Sequence, residues 1–231
     1  MLELNKLYLM DCMIGMKTFP DKYFDLAIVD PPYGIGIGSK VGGGKPFGKS
    51  GGGKVIQPKA YRGFDDSKPP SKEYFEEIIR ITKNQIVWGG NFFINNLSST
   101  PCMLVWDKDN TGNFADCELA WTSFRTAVRL FRYRWNGLLQ ENMKNKEQRI
   151  HPTQKPVQLY KWILHNYAKP EIIKMKEKRK FRIVDTHVGS GSSIIAFLDY
   201  GCEWIGFEID EDYHKAASER IEIHKQQLKL F

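Results

Sequence analysis

Short apolar runs recur along this chain, and each stops at an acid, a glycine or a turn. Leu7-Tyr8-Leu9-Met10 ends at Asp11, Phe24 to Val29 at Asp30, and Gln85-Ile86-Val87-Trp88 at Gly89-Gly90. Runs of this length bounded by turn residues predict buried strands, and Met103-Leu104-Val105-Trp106 and Glu118-Leu119-Ala120-Trp121 read the same way. Tyr74, Phe75, Ile78 and Ile79 share one helical face, which predicts an amphipathic helix from Ser71 to Thr82. A second helix is expected from Gln154 to Tyr167, with Lys155-Pro156 in its first turn. Beyond the basic stretch from Lys174 to Arg182, strand and helix alternate: Phe181 to Asp185, Gly189 to Tyr200, Glu203 to Phe207, and Glu211 to about Gln226. That alternation predicts an α/β fold, a parallel sheet with crossover helices.

Composition adds limits. With 231 residues, 42% apolar and 13% aromatic, the chain can bury one good-sized core, so a single domain over 1–231 is expected. A net charge of +7 suits a polyanionic partner without requiring one. Cys12, Cys102, Cys117 and Cys202 form no Cys-x-x-Cys pair and are expected as small buried side chains; the five histidines show no zinc-ligand spacing, so no metal is expected. With no signal-peptide pattern and no long apolar run, the chain reads as a reduced, soluble, cytoplasmic protein with no membrane partner.

The candidate chemistry sits at strand ends. Asp30-Pro31-Pro32-Tyr33 follows the Phe24–Val29 run and precedes Gly34. Ligands of open α/β sheets bind outside the carboxyl ends of the strands. Prolines fix φ and remove donors, so the turn offers acceptors beside an aromatic ring, which suits an exocyclic amino group on a flat base. Asp185-Thr186-His187-Val188-Gly189-Ser190-Gly191-Ser192 lies between a strand and a helix, where glycines let backbone amides approach a ligand. Glu208 ends the next strand, 23 residues after Asp185, the place from which an acid holds ribose hydroxyls in nucleotide-type folds. The glycine turn lacks the full Gly-x-Gly-x-x-Gly pattern, which favours a single adenosine moiety over a dinucleotide. Taken alone, the turn can also be only a turn.

Two rival signals have the wrong context. Gly43 to Ser50 fits the P-loop pattern letter for letter, but it lies in a glycine-rich tract instead of between a buried strand and a helix. Cys102 opens an apolar strand and reads as core, not as a nucleophile.

His151-Pro152-Thr153-Gln154-Lys155-Pro156 sets a dense group of polar residues just before a helix, with Thr153 as a candidate cap. With Asp-Pro-Pro-Tyr first, His-Pro-Thr-Gln-Lys-Pro central and Asp-x-x-x-Gly-Ser-Gly last, the chain resembles the permuted, beta-class DNA amino-methyltransferases. Trp88-Gly89-Gly90-Asn91-Phe92 and Trp106-Asp107-Lys108 are similar to phage and mobile-element members. The resemblance implies a mostly parallel, doubly wound sheet of the S-adenosylmethionine-dependent methyltransferase type in circularly permuted motif order. It implies that Asp30 and Pro31 accept from the target amino group, next to Pro32, while Tyr33 stacks on the flipped base. It implies a cofactor site of Asp185, His187, Gly189, Ser190, Gly191 and Ser192, with Glu208 on the ribose and Asp11 near the adenine. Asp30 and His151 also belong to the implied cofactor site, and Thr153, Gln154 and Lys155 fall around the methionine moiety. One departure stands out: Thr186-His187 replaces the usual Pro-Phe.

The implied activity is transfer of a methyl group from S-adenosylmethionine to adenine N6 in double-stranded DNA, because the acid in Asp-Pro-Pro-Tyr is more typical of adenine enzymes. Cytosine N4 is the alternative within the same chemistry, and a nucleic-acid-binding relative that lost catalysis at Thr186-His187 is the alternative outside it. A homodimer and a restriction endonuclease are partners known in this family. For DNA contact, the glycine- and lysine-rich segment 34–64, expected to be a mobile loop, contributes Lys40, Lys45, Lys49 and Lys54. Arg125, Arg129, Arg132 and Arg134 interleave with Phe131, Tyr133 and Trp135 in segment 122–150, a small candidate target-recognition segment.

Overall fold

The computed structural model describes residues 1–40, 63–110, 115–136, 139–175 and 178–228. The P-loop-like stretch and Lys45, Lys49 and Lys54 lie outside the described residues, as does most of the glycine-rich segment. Among the described residues, ten strands and six α-helices follow one another: β1 (Lys6–Leu9), α1 (Cys12–Met16), β2 (Phe24–Val29), α2 (Lys72–Ile81), β3 (Thr82–Trp88), β4 (Met103–Asp107), β5 (Cys117–Thr122), β6 (Arg129–Arg132), β7 (Trp135–Asn136), β8 (Leu139–Gln140), α3 (Val157–Tyr167), α4 (Lys169–Met175), β9 (Arg182–Asp185), α5 (Ser192–Asp199), β10 (Glu203–Glu208) and α6 (Glu211–Leu228).

Eight strands form one sheet in the order β1-β10-β9-β2-β3-β5-β4-β6, and β7 pairs with β8. The run from β1 to β3 is parallel throughout. Strand β5 enters antiparallel between β3 and β4, while β6 adds in parallel at the edge. This is the mostly parallel α/β sheet expected from the alternation of strand and helix.

Successive strand side chains point to opposite faces, which is why β2 is buried along its whole length. Leu26 and Ile28 join Ile86, Trp88 and Ile183 beneath α3, α5 and α6. Ala27 and Val29 join Val87, Val184 and Phe207 beneath α1 and α2. Helices therefore cover both faces.

From β2 the chain moves outward to β3, and from β9 it moves the other way to β10. The neighbouring pair β9 and β2 is thus the topological switch point, where the connections diverge and leave a crevice at the carboxyl ends. Asp30 follows β2 there and Asp185 ends β9.

At the opposite ends of these strands the basic stretch finds its partner. Asp25, 4% exposed, receives Arg179 at 2.7 and 2.6 Å, Lys83 at 2.8 Å and the Arg182 amide at 2.9 Å. Burial works against the Asp25 anion, but these donors outweigh it and hold its carboxyl below the usual range.

Three expectations need correction. Cys117 is exposed, because it opens β5 at the rim of the sheet; Cys12, Cys102 and Cys202 are buried. Helix α3 starts at Val157 instead of Gln154, with Pro156 at the cap position, so Lys155 precedes the helix. Thr153 does not cap it: the Glu147 carboxylate accepts from the Val157 amide at 3.0 Å. No helix of the described residues is long and apolar enough to cross a membrane.

Candidate active site

A cavity of about 510 Å³ opens at the switch point, within the roughly 300–1,000 Å³ usual for small-molecule sites. Its wall combines Asp30, Pro31, Pro32 and Tyr33 from the β2 end with His187, Gly189 and Ser190 after β9, and Glu208 from β10. His151, Thr153, Gln154 and Lys155 also line it. The three motifs, far apart in sequence, thus meet on one cavity.

Tyr33 donates its hydroxyl to Asp30 Oδ1 at 2.7 Å, and Lys155 Nζ donates to Asp30 Oδ2 at 2.5 Å. Lys155, with a side chain only 3% exposed, also stands 3.1 Å from Glu118 Oε2. Burial opposes the Lys155 charge, but Asp30 and Glu118 outweigh it and raise the ammonium above its usual value. Burial, followed by the charges of Asp30 and Glu118, pushes the Tyr33 phenol well above its ordinary value. The ring of Tyr33 stacks on Phe92 with centroids 4.9 Å apart and planes within 17°. Gly89 makes that position available: at φ 70°, a Cβ there would stand 2.2 Å from Tyr33 Cε1.

The glycine turn is held from within. Asp185 accepts from Ser193 Oγ at 2.5 Å and from the His187 amide at 3.0 Å. Burial raises its carboxyl to about 7 despite these donors. Gly189 and Gly191 both have positive φ, 54° and 78°, which the turn into α5 requires. Glu208 accepts from the Gly189 amide at 2.8 Å and the Asp210 amide at 2.9 Å. Thr186 and His187, the departure from Pro-Phe, form a local network: Thr186 Oγ1 lies 2.6 Å from the Tyr74 hydroxyl and 2.9 Å from His187 Nδ1. The His187 ring meets Tyr74 edge-on at 5.6 Å, so an aromatic role in packing survives the replacement. Burial depresses both His187 and His151 to about 4, leaving neutral rings in the wall.

Other expected residues sit around the cavity. Gly191 caps α5, and Ser192 bonds Ser190 at 3.1 Å. Asp11 does not line the cavity; its carboxylate caps α1 by accepting from the Met13 amide at 2.8 Å, within electrostatic range of His187. Arg125 and Arg129 are exposed. Arg132 pairs with Asp107 at 2.8 Å and Arg134 with Asp109. Lys40 ends a short 3-10 turn, Ile37–Lys40. The interleaved aromatics depart from expectation. Phe131 and Tyr133 stack on each other at 5.6 Å and pack toward the core, Phe131 against Trp162; Trp135 is buried and donates to the Gln154 carbonyl at 2.7 Å. Strand alternation turns the rings inward and leaves Arg132 and Arg134 outside.

Several lining residues carried no local signal. Glu118 arrives because β5 begins at the rim where its antiparallel neighbours β3 and β4 end. Asp66 ties down the turn after Tyr33, accepting from the Gly34 amide at 2.9 Å and the Ile37 amide at 3.0 Å. Tyr213 and Phe64 flank His151, at 4.2 and 5.0 Å.

The DNA methylase family model of the N6/N4 class matches residues 99–219, and the chain belongs to that family. YubD of Escherichia coli, provisionally named a methylase, is 26% identical over 221 residues, covering 91% of this chain and 87% of YubD. Among solved structures, the M1.HpyAVI–SAM complex superimposes with a TM-score of 0.53 at 17% identity, covering 93% of this chain and 98% of that one. The cytosine-N4-specific PvuII DNA methyltransferase superimposes with a TM-score of 0.54 at 13% identity, covering 96% and 91%. The fold is thus that of DNA methyltransferases.

Proposed function

We propose that this DNA methylase transfers a methyl group from S-adenosylmethionine to the exocyclic N6 of adenine in double-stranded DNA, acting on a base turned out of the helix. The observation that carries this reading is that the Asp30-Pro31-Pro32-Tyr33 turn, the glycine turn and Glu208 line one cavity.

The residues present fit the cofactor. Glu208 keeps lone pairs for ribose hydroxyls beyond its two backbone donors, the Gly189 backbone approaches the cavity without a side chain, and Thr153, Gln154 and Lys155 add polar groups. Bound there, S-adenosylmethionine supplies an electrophilic methyl on a sulfonium.

The chain's own groups do the rest. An exocyclic amino nitrogen is a poor nucleophile because its lone pair is delocalised into the ring. Acceptors aimed at its two hydrogens favour a more pyramidal nitrogen. Asp30 and the Pro31 carbonyl supply them as fixed electrostatic preorganisation, and the shared cavity supplies proximity. Both Asp30 oxygens are engaged in the free protein, by Tyr33 and Lys155, so the carboxylate is held oriented before substrate arrives. Extruding the base costs a few kcal/mol, which stacking on Tyr33 helps offset. Segment 34–64 and the outer arginines of segment 122–150 are assigned to the DNA backbone, and the latter segment to target recognition.

The test is to incubate wild type and Asp30→Ala with unmethylated genomic DNA and labelled S-adenosylmethionine, then digest to nucleosides. Labelled N6-methyladenosine from wild type, reduced at least a hundredfold in the variant, is the expected result. Labelled N4-methylcytidine would overturn the choice of base. No label in either nucleoside from folded wild type would overturn the reading as a whole.

A further inference from the structure

Glu118 lies outside all three motifs, yet it lines the cavity 3.1 Å from the ammonium that holds Asp30. Lys155 bonds Asp30 at 2.5 Å, while Glu118 Oε2 has no well-aligned hydrogen-bond donor among the described residues. One buried ammonium therefore serves two carboxylates, bonded to Asp30 and touching Glu118 as a charge. Lys108, just after β4, pairs with the other oxygen of Glu118 and keeps the second carboxylate in place.

We propose that Glu118 is a positioning residue for methyl transfer: it shares the Lys155 ammonium with Asp30 and takes it over when the target amino group docks on Asp30. This rests on the methyl-transfer reading. The physical need is plain. An acceptor whose lone pairs are committed to an ammonium is a weak acceptor for a neutral amino group, and a buried ammonium released from it costs several kcal/mol unless another anion receives it. Glu118 is that second anion, and the transfer needs only a shift of hydrogen bonds across a few tenths of an ångström to one ångström.

The other charged and titratable groups around Asp30 are accounted for. Tyr33 bonds it directly, Tyr160 on α3 and Tyr74 on α2 feel its charge, and so does Asp185 at the tip of β9. None of these is a cation that could replace Lys155, and among them Asp185 alone is a carboxyl, already occupied by Ser193 and the His187 amide.

Glu118→Gln keeps the shape and removes the charge. Lys155 is then left to Asp30 alone, which weakens Asp30 as an acceptor. At saturating S-adenosylmethionine and unmethylated genomic DNA, the single-turnover rate is expected to fall at least tenfold. S-adenosylmethionine affinity by calorimetry is expected to stay within about threefold, since the interaction matters in the transition state. Glu118→Asp, which retains the charge, is expected to recover part of the rate. A Gln variant within twofold of wild type, or an Asp variant no faster than the Gln variant, would overturn the proposal. A wild type that transfers no methyl group would instead overturn the reading beneath it, so the two failures are distinguishable.

Discussion

At the scale of single residues, the placement of Tyr33 depends on an atom that is missing. Gly89 sits at φ 70°, and a Cβ there would stand 2.2 Å from Tyr33 Cε1 and 2.7 Å from Cζ. Gly89→Ala combines a backbone conformation that costs an L-residue about 1 kcal/mol with a clash that the ring must relieve by moving. Since Tyr33 also donates to Asp30 at 2.7 Å, its displacement disturbs the acceptor as well as the stacking surface. The expected outcome is a fall in methyl transfer of about 10–100-fold with S-adenosylmethionine affinity within threefold. Comparing single-turnover rates with calorimetric binding checks it, and an unimpaired rate would show that Tyr33 has room to move. The acid and ring of Asp30-Pro31-Pro32-Tyr33 were legible in sequence because the chemistry resides in side chains. The role of Gly89 was not, since two glycines after a strand read only as a turn. What makes the first of them necessary is a ring that is 56 positions away in the chain.

At the scale of elements, one half-buried ion pair joins the end of segment 122–150 to the glycine turn. Arg220 on α6 donates to the Ser190 carbonyl and to Ser192 Oγ, both at 2.9 Å, and to Glu147 at 3.0 Å. Glu147 caps α3 through the Val157 amide, and its own backbone is gripped by the Gln140 side chain at 2.8 and 2.9 Å. Strand β8, helices α3 and α6 and the entry to α5 are thereby tied at one point. Arg220→Met leaves the half-buried Glu147 without its counter-ion, which costs about 1–3 kcal/mol, and frees the glycine turn. A lower Tm and a loss of S-adenosylmethionine affinity of about tenfold are expected, measured by thermal melts and calorimetry; unchanged affinity at a reduced Tm would assign the pair to stability alone. The same contacts explain which elements could be read in advance. Strands β2, β3, β4 and β5 announced themselves because each is a self-contained apolar run. The start of α3 was misplaced because its cap comes from Glu147, ten residues upstream, and not from Thr153. Strands β6, β7 and β8 carried no period of their own, since β6 is a short, half-polar edge defined by pairing with β4, and β7 and β8 are defined by each other.

At the scale of the whole molecule, buried titratable groups around the cavity set how stability follows pH. Burial depresses His151 and His187 from 6.5 to about 4. Between those values the unfolded chain binds protons that the folded chain refuses, so each histidine removes stability as pH falls through that window. Asp185 runs the other way. Burial raises it from 3.8 to about 7, so the folded chain holds a proton that the unfolded chain has released, and stability rises as pH falls from about 7 toward 4. Asp25, held below its usual range, contributes stability that is present above 3.8 and lost only at lower pH. Glu208, also raised by burial, runs with Asp185, so two imidazoles and two carboxyls around the cavity oppose one another across this window. His187→Phe isolates one of them: it keeps an aromatic edge against Tyr74 and removes the titrating nitrogens, at the cost of the 2.9 Å contact between Nδ1 and Thr186. At pH 8 the variant is expected to melt at or slightly below wild type. As pH falls to 5 it should gain on wild type by several degrees, at roughly 2–4 °C per kcal/mol for a chain of this size. Melting both proteins across this range without cofactor decides the matter. Parallel curves would mean that His187 takes up its proton in the folded state as readily as in the unfolded one, and that the cavity wall admits a charge there.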